Sequence, residues 1–404
     1  MPFSSIVMST LNSIKNCCRT SSHTSSIFAK SSALKDSNRL NSLKEKDNKI
    51  EGNLGLYFQS LDSLLDTLHY MKSPGKAGIC PHQRNQGKFM SQFLLVPVFI
   101  LVVVIAGVYT IYLLDLADAY ARIIGRSKTF ESFLGTLEYA LAGEGAPMLI
   151  LHGAGGGFDQ ALDVAGAFPD IGYWLIAPSR FGYLRSTMPE NPTTAMQADV
   201  YAHLLDTLGI DKSVVVSISA GSWSSLQFAA RHPTRCRALV LLVPADFLPA
   251  GTAIHGGAVA KAIFASDFAA WSVLKSLTFI PGEMTRIILG TDPEVIRAAK
   301  ACEKGRVLEI LKHLLPVFAR RAGMKFDVET AARYAEDPFD KIACPVLTIS
   351  AEDDRFGTAG RARLIADSVI NGRAIIFPTG GHALVGRYDD VVCEITGFLR
   401  TLQG

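Results

Sequence analysis

Charge is scarce in this 404-residue chain: Asp, Glu, Lys and Arg make up 19% of it against 49% hydrophobic residues, with a net charge of only +3. Residues 1–92 hold 12 Lys/Arg against 6 Asp/Glu, leaving 28 against 31 for the remainder, so the larger part is slightly acidic. Without a basic stripe there to neutralise phosphates, a nucleic-acid partner is excluded. Cysteine is sparse too. The seven (Cys17, Cys18, Cys80, Cys236, Cys302, Cys344, Cys393) are odd in number, scattered and without a C-x-x-C pair, which argues against a disulfide framework or a zinc site. Cys236, Cys344 and Cys393 lie in apolar runs and are expected as small buried hydrophobes. No histidines stand at metal-ligand spacing. The Gly-rich stretch at 153–157 lacks a Gly-Lys-Ser/Thr ending and fits G-x-G-x-x-G poorly, so neither a metal nor any other cofactor is expected.

Acids are missing from the first 35 residues, which contain ten serines and the bases Lys15, Arg19, Lys30 and Lys35. That is the composition of an organelle-targeting segment or of a disordered tail. Leu61, Leu64, Leu65 and Leu68 follow at i, i+3, i+4, i+7, the spacing of one short amphipathic helix. Residues 93–114 then run 22 positions without a charge; at 1.5 Å rise this is about 33 Å, enough for a hydrocarbon core of about 30 Å. The expectation is a single membrane-spanning helix, with Tyr109 and Tyr112 at the interface. Lys76, Arg84 and Lys88 precede it and Arg122, Arg126 and Lys128 follow it, a near tie that leaves the orientation open.

From about residue 128 short apolar runs alternate with helical stretches, the pattern of a mostly parallel sheet covered by helices on both faces. TFESFLGTLEYALAGEG reads as an opening hairpin; MLILHG, YWLIAP, SVVVSI, RALVLLVP, PVLTIS and RAIIFP read as strands buried on both sides. Between residues 245 and 342 the alternation is interrupted by a helical, Ala-, Phe- and Leu-rich insertion.

Six of the thirteen residues 213–225, SVVVSISAGSWSS, are serine. Strand 214–218 followed by a helix ending near Pro233 puts Ser219 at the strand-to-helix turn, on the carboxyl edge where such sheets bind ligands. The tight turn needs small residues two positions either side, and Ser217 and Gly221 supply them. Ser222, flanked by Ala220 and Ser224, offers a rival frame, but one turn into the helix. A serine needs a base and an oxyanion site to react. Asp353 and Asp354 follow one strand and His382 the last, while the turn after MLILHG can present backbone N–H groups from Ala154 or Gly155.

LHGAGGG, SISAGS, AEDD and GGHA, in that order, make residues 128–404 resemble the α/β-hydrolase superfamily. The resemblance implies a serine nucleophile at Ser219, a base at His382 and an orienting acid at Asp354, which is preferred to Asp353 because the acid follows three residues after the small Ala351. It also implies oxyanion donors at the N–H groups of Ala220 and Ala154, with Gly155 the alternative for the second. Ser217 departs from the usual first glycine of the elbow. The GSW run is similar to that of proline iminopeptidases and selects Ser222, whereas the 13 residues from Ser219 to His232 suit the family's interval and select Ser219. In the superfamily the insertion is a helical cap, here with Phe264, Phe268, Trp271, Phe279 and Phe318 as pocket or cap-core residues. Arg180 and Arg185, in the loop 178–187, are candidate contacts for an anionic substrate. The implied activity is hydrolysis of a small-molecule ester, thioester or amide by a membrane-anchored enzyme. The alternatives are a non-catalytic ligand binder of the same fold and a cofactor-free perhydrolase or haloperoxidase using the same triad.

Overall fold

In the computed structural model of the protein, residues 84–248, 265–276, 291–333 and 337–402 are described. The targeting segment, the leucine-spaced helix, Phe264 and Phe279 lie outside them. Helix α1, Arg84–Ile123, contains the charge-free run. One stretch of it, Pro97–Ile123, is long and apolar enough to cross a membrane, with a mean hydropathy of 2.5.

Eight strands follow: β1 Lys128–Ser132, β2 Gly135–Ala142, β3 Ala146–Leu151, β4 Tyr173–Pro178, β5 Ser213–Ile218, β6 Cys236–Leu242, β7 Val346–Ala351 and β8 Gly372–Phe377. Each run read from the sequence became one of them. They form one sheet in the order β1-β2-β4-β3-β5-β6-β7-β8. The first two form the antiparallel hairpin and β2 pairs antiparallel with β4, while every later pairing is parallel.

Side chains alternate between two cores because successive Cβ atoms of a strand point to opposite faces. Leu149, Leu151, Val215, Leu239 and Leu241 face one layer; Met148, Ile150, Val214, Val216, Val240 and Leu242 face the other. Burying each such side chain is worth about 1.5–3 kcal/mol relative to exposure. The first layer is covered by α3 (Thr194–Thr207), α4 (Gly221–Arg231) and α9 (Thr358–Ser368), the second by α2 (Phe158–Val164) and α10 (Tyr388–Arg400).

Helix α3 shows why. Ala198, Tyr201, Ala202 and Leu205, spaced i, i+3, i+4, i+7, are all buried, and the Thr193 side chain caps the helix by accepting from the Met196 N–H at 3.1 Å, a contact worth about 1 kcal/mol.

Two expectations need correction. β8 is not buried on both sides, because it forms the sheet edge and its residues are exposed or half-buried. Cys393 is exposed, because α10 turns Val391, Ile395, Phe398 and Leu399 to the sheet and Cys393 lies off that stripe. Cys236 and Cys344 are buried, as expected.

Between β6 and β7 the described residues form α5 (Asp267–Ser276), α6 (Pro293–Ala298), α7 (Ala301–Lys312) and α8 (Arg321–Ala332). The chain leaves β3 toward β4 on one side and returns to β5 on the other. The carboxyl ends of β3 and β5 therefore flank the switch point at which open α/β sheets bind ligands.

Candidate active site

At the end of β5, Ser219 has φ 48°, a left-handed conformation that a residue with a Cβ adopts only when its surroundings impose it. Its N–H donates to the Leu242 carbonyl at 2.9 Å, and its own carbonyl accepts from Ser222 N–H at 2.9 Å and Ala245 N–H at 3.2 Å. Both sides of the peptide are thus tied down. Gly221 is required, because a Cβ there would stand 2.8 Å from the carbonyl oxygens of Leu151 and His152. Ser217 fits where a glycine was expected because its Oγ hydrogen-bonds Ser225 Oγ at 2.7 Å in the interior. Ser222 is buried and its Oγ has no partner, so the rival frame presents no hydroxyl to a substrate.

The three distant side chains meet. Ser219 Oγ lies 3.0 Å from His382 Nε2, and His382 Nδ1 lies 2.8 Å from Asp354 Oδ2. An ionised carboxylate only accepts, so Nδ1 carries the proton and Nε2 is left to accept from the serine hydroxyl. Thr358 Oγ1 also donates to Asp354 Oδ2, Ser350 Oγ donates to Thr358 at 2.7 Å, and Phe356 N–H donates to Asp354 Oδ1 at 3.0 Å. Burial raises the Asp354 carboxyl, but the hydrogen bonds from His382, Thr358 and Phe356 N–H outweigh it and the net shift is downward. The acid stays charged, and the His382 ring is further held edge-on by Phe356 at 4.8 Å between centroids.

Asp353 has a different task. Its carboxylate accepts from Gly380 N–H at 3.2 Å and Gly381 N–H at 2.8 Å, fixing the loop that carries His382. From the other side Arg306 of α7 donates to the Ala383 carbonyl at 2.8 Å, and Glu303 accepts from Gly386 N–H at 2.9 Å. Thr358, four residues after Asp354 at the start of a helix, was a signal the sequence offered. Arg306 and Glu303 carried none, because nothing local ties them to residues some 80 positions away.

The loop after β3 supplies the remaining part. His152 is wholly buried: its Nε2 accepts from Arg180 N–H at 2.9 Å and its Nδ1 lies 2.8 Å from the Gly153 carbonyl. Burial, reinforced by the Arg180 charge, lowers its pKa well below 6.5, so it serves as a fixed neutral strut. Gly155 N–H donates to Tyr183 Oη at 3.1 Å and is spent there. Among the described residues no group accepts from the N–H of Ala154 or of Ala220, and Ala154 is exposed.

Arg180 and Arg185 each meet an acid of this chain. Arg180 is 2% exposed and forms a two-pronged pair with Asp327 of α8 at 2.7 and 2.6 Å. Arg185 Nε donates to buried Glu138 at 2.6 Å, and its Nη2 to Ser127. Each guanidinium is paired with an internal carboxylate; Arg180 is sealed in the interior, whereas the Arg185 side chain is 54% exposed. Of the expected cap aromatics, Trp271 is buried, whereas Phe268 and Phe318 are exposed. Among the described residues no group of three or more His, Cys, Asp or Glu stands together to hold a metal.

The comparisons with known proteins bear on the fold and its family. A family model described as alpha/beta hydrolase fold matches residues 146–385. An uncharacterised hydrolase of Bacillus subtilis is 38% identical over 109 residues, 26% of this chain and 37% of that protein. A 2-hydroxy-6-oxo-6-phenylhexa-2,4-dienoate hydrolase of Comamonas testosteroni is 31% identical over 122 residues, 29% of this chain and 42% of the relative. The chain therefore matches only about two fifths of the length of these curated relatives. Among solved structures, an alpha/beta hydrolase fold protein of Nakamurella multipartita superposes with a TM-score of 0.54 at 24% identity, covering 69% of this chain and all of that one. With more than half of its 404 residues matched by the family model around an ordered elbow, acid and histidine, the chain belongs to the alpha/beta hydrolase fold family.

Proposed function

We propose that the protein is a membrane-anchored serine hydrolase that cleaves an ester, thioester or amide through an acyl-enzyme. The observation that carries this reading is the unbroken relay from Ser219 Oγ to His382 Nε2 at 3.0 Å and from His382 Nδ1 to Asp354 at 2.8 Å. The names of the curated relatives, all hydrolases in the two cases above, favour the same class.

In the reaction His382 Nε2 takes the hydroxyl proton as Ser219 Oγ attacks the substrate carbonyl. Asp354 keeps the ring in its Nδ1–H form and stabilises the imidazolium. The carbonyl oxygen gains negative charge and is received by the N–H groups of Ala220 and Ala154; a donor in such a position is worth about 3–4 kcal/mol to the transition state. His382 then returns the proton to the departing alcohol, thiol or amine. Water, deprotonated by the same imidazole, releases the acid. In this reading residues 128–404 are the hydrolase domain, with its cap at about 245–342, and residues 93–114 of α1 span the membrane.

The test is labelling by a fluorophosphonate, which phosphonylates an activated serine. Wild type should be labelled and Ser219→Ala should not, with Ser222→Ala retaining the label. An unlabelled wild type of intact fold would instead favour a non-catalytic binder.

A further inference from the structure

The apolar helix and the residues over the oxyanion loop meet at one place. The charge-free run of α1 ends at Leu114, and its last turns are docked rather than free. The Tyr112 ring lies 5.1 Å from Phe268 and 5.5 Å from Trp271 of α5. Asp115, the first charge after the run, accepts from Trp271 Nε1 and Lys275 Nζ, each at 2.7 Å. Ala119 is fully buried in a cluster with Ala270, Trp271, Leu315 and Val317. Beside this contact two large rings face outward: Phe268 is 43% and Phe318 70% exposed. Phe318 N–H donates to Asp267 Oδ1 at 3.1 Å, which holds that ring at the first turn of α5, and the Arg321 guanidinium stands 5.5 Å above it.

Scattered exposed apolar residues are ordinary on a soluble surface, but Phe268 packs on Tyr112 of a helix whose Val98–Ile105, Leu113 and Leu114 are exposed as well, and Phe318 is tied to the residue before Phe268. We propose that Phe268 and Phe318 form a foot seated at the headgroup boundary of the bilayer that α1 crosses, and that the acyl substrate is a lipid ester drawn from that bilayer. The inference rests on the serine-hydrolase reading and adds to it the class of substrate.

Depth supports the foot. Tyr112 lies two residues before the end of the charge-free run, so Phe268, whose ring meets it, sits where hydrocarbon gives way to headgroups, and Phe318 is tethered to Asp267, the residue before Phe268. Aromatic rings with an adjacent arginine are the side chains that layer favours. Proximity supports the substrate. Phe318 is four residues from Leu314, at most about 14 Å of chain, and Leu314 is the side chain that a Cβ at Gly155 would strike. The foot and the oxyanion loop are thus joined by one short segment, through Leu315 and Val317, which pack against α1. A lipid ester entering here is attacked at its carbonyl by Ser219 Oγ. The ester C–O bond breaks, the lipid alcohol leaves with the proton held by His382, and water then cleaves the acyl-serine to give the fatty acid and restore the hydroxyl.

The test uses the full chain reconstituted in phosphatidylcholine vesicles. One substrate is a fluorogenic long-chain acyl ester dissolved in the vesicles, the other is soluble p-nitrophenyl acetate. Phe318→Ser, and Phe268→Ser with it, should slow the vesicle-borne ester by about tenfold, the effect of losing part of the burial of two phenyl rings, and leave the soluble ester within about twofold. Equal rates on the vesicle-borne ester for wild type and variant would overturn the proposal. Should the double variant lose both activities, Phe318→Trp decides by a readout free of catalysis: bromine on the shallow carbons of the lipid chains should quench its added tryptophan fluorescence beyond that of wild type, and no added quenching would overturn the foot. Quenching with neither ester cleaved and no fluorophosphonate label would instead locate the failure in the hydrolase reading.

Discussion

The corner that holds Ser219 and the seam that joins α7 and α8 to the oxyanion loop are both built from charged and polar groups, yet they are held in opposite ways. At the corner one carboxylate, Asp354, faces a ring that remains partly open to solvent, and the bonds are those a proton travels along. At the seam the charges are sealed. Arg180 pairs with Asp327, whose carboxylate also accepts from Tyr183 Oη at 2.5 Å. Arg320, wholly buried, donates to Asp159 at 2.7 Å and to the Gly156 carbonyl at 2.6 Å. His313 bridges Asp159 and Asp163. Under the proposed mechanism the corner exchanges a proton, whereas the seam holds its guanidinium–carboxylate pairs in place. Since Tyr183 also holds Gly155 and Arg320 holds Gly156, the seam fixes the loop that carries Ala154, whose N–H is the proposed oxyanion donor.

Breaking the corner should have the largest effect. Asp354→Asn keeps the shape but lets the amide donate toward the ring, favouring the wrong tautomer, and should lower kcat by about 10⁴-fold with KM little changed. Steady-state rates on a soluble ester check this, and a loss of tenfold or less would remove Asp354 from its role. Next comes the seam. Asp327→Leu strands the Arg180 guanidinium in the interior and should cost about 3–5 kcal/mol of stability, read as a lower midpoint of unfolding. Arg180→Met added to it should recover most of that loss, since two apolar side chains leave no buried charge; no recovery would show that the pair acts otherwise than as mutual neutralisation.

The smallest effect concerns pH. Burial disfavours the His313 cation, but the hydrogen bonds its ring donates to Asp159 and Asp163 prevail and raise its pKa above the ordinary 6.5. Arg320 and Arg122, also near this carboxylate pair, oppose the cation. With the folded value raised, the stabilisation is complete below about pH 6.5 and is lost as pH climbs through the folded value. The midpoint of unfolding should therefore fall over that rise in wild type and less in His313→Gln; identical pH profiles would show that the histidine does not tighten the seam.

These contrasts also mark what was readable in the one-dimensional chain. The runs around Val215, Leu239 and Leu347 announced their strands because burial on both faces demands continuous apolar sequence. Ser219, Asp354 and His382 stood out because each follows such a run at the sheet's carboxyl edge. The partner of Arg180 was hidden, since an arginine in a loop beside the site looks the same whether it meets a substrate or a carboxylate 147 residues away. Asp353 was legible as a neighbour of the acid but not as the acceptor for Gly380 and Gly381.

By itself the sequence determined the alternation of strands and helices, the tight turn at Ser219 and the charge-free length of α1, because each depends on the chemistry of neighbours within a few residues. Only the tertiary structure decided which guanidinium met which carboxylate, which N–H groups of the Gly-rich loop stayed free, and that Tyr112 docks against Phe268 and Trp271. Those choices pair groups 28 to 161 positions apart, and a buried charge or ring is stabilised by whatever the folded chain brings beside it.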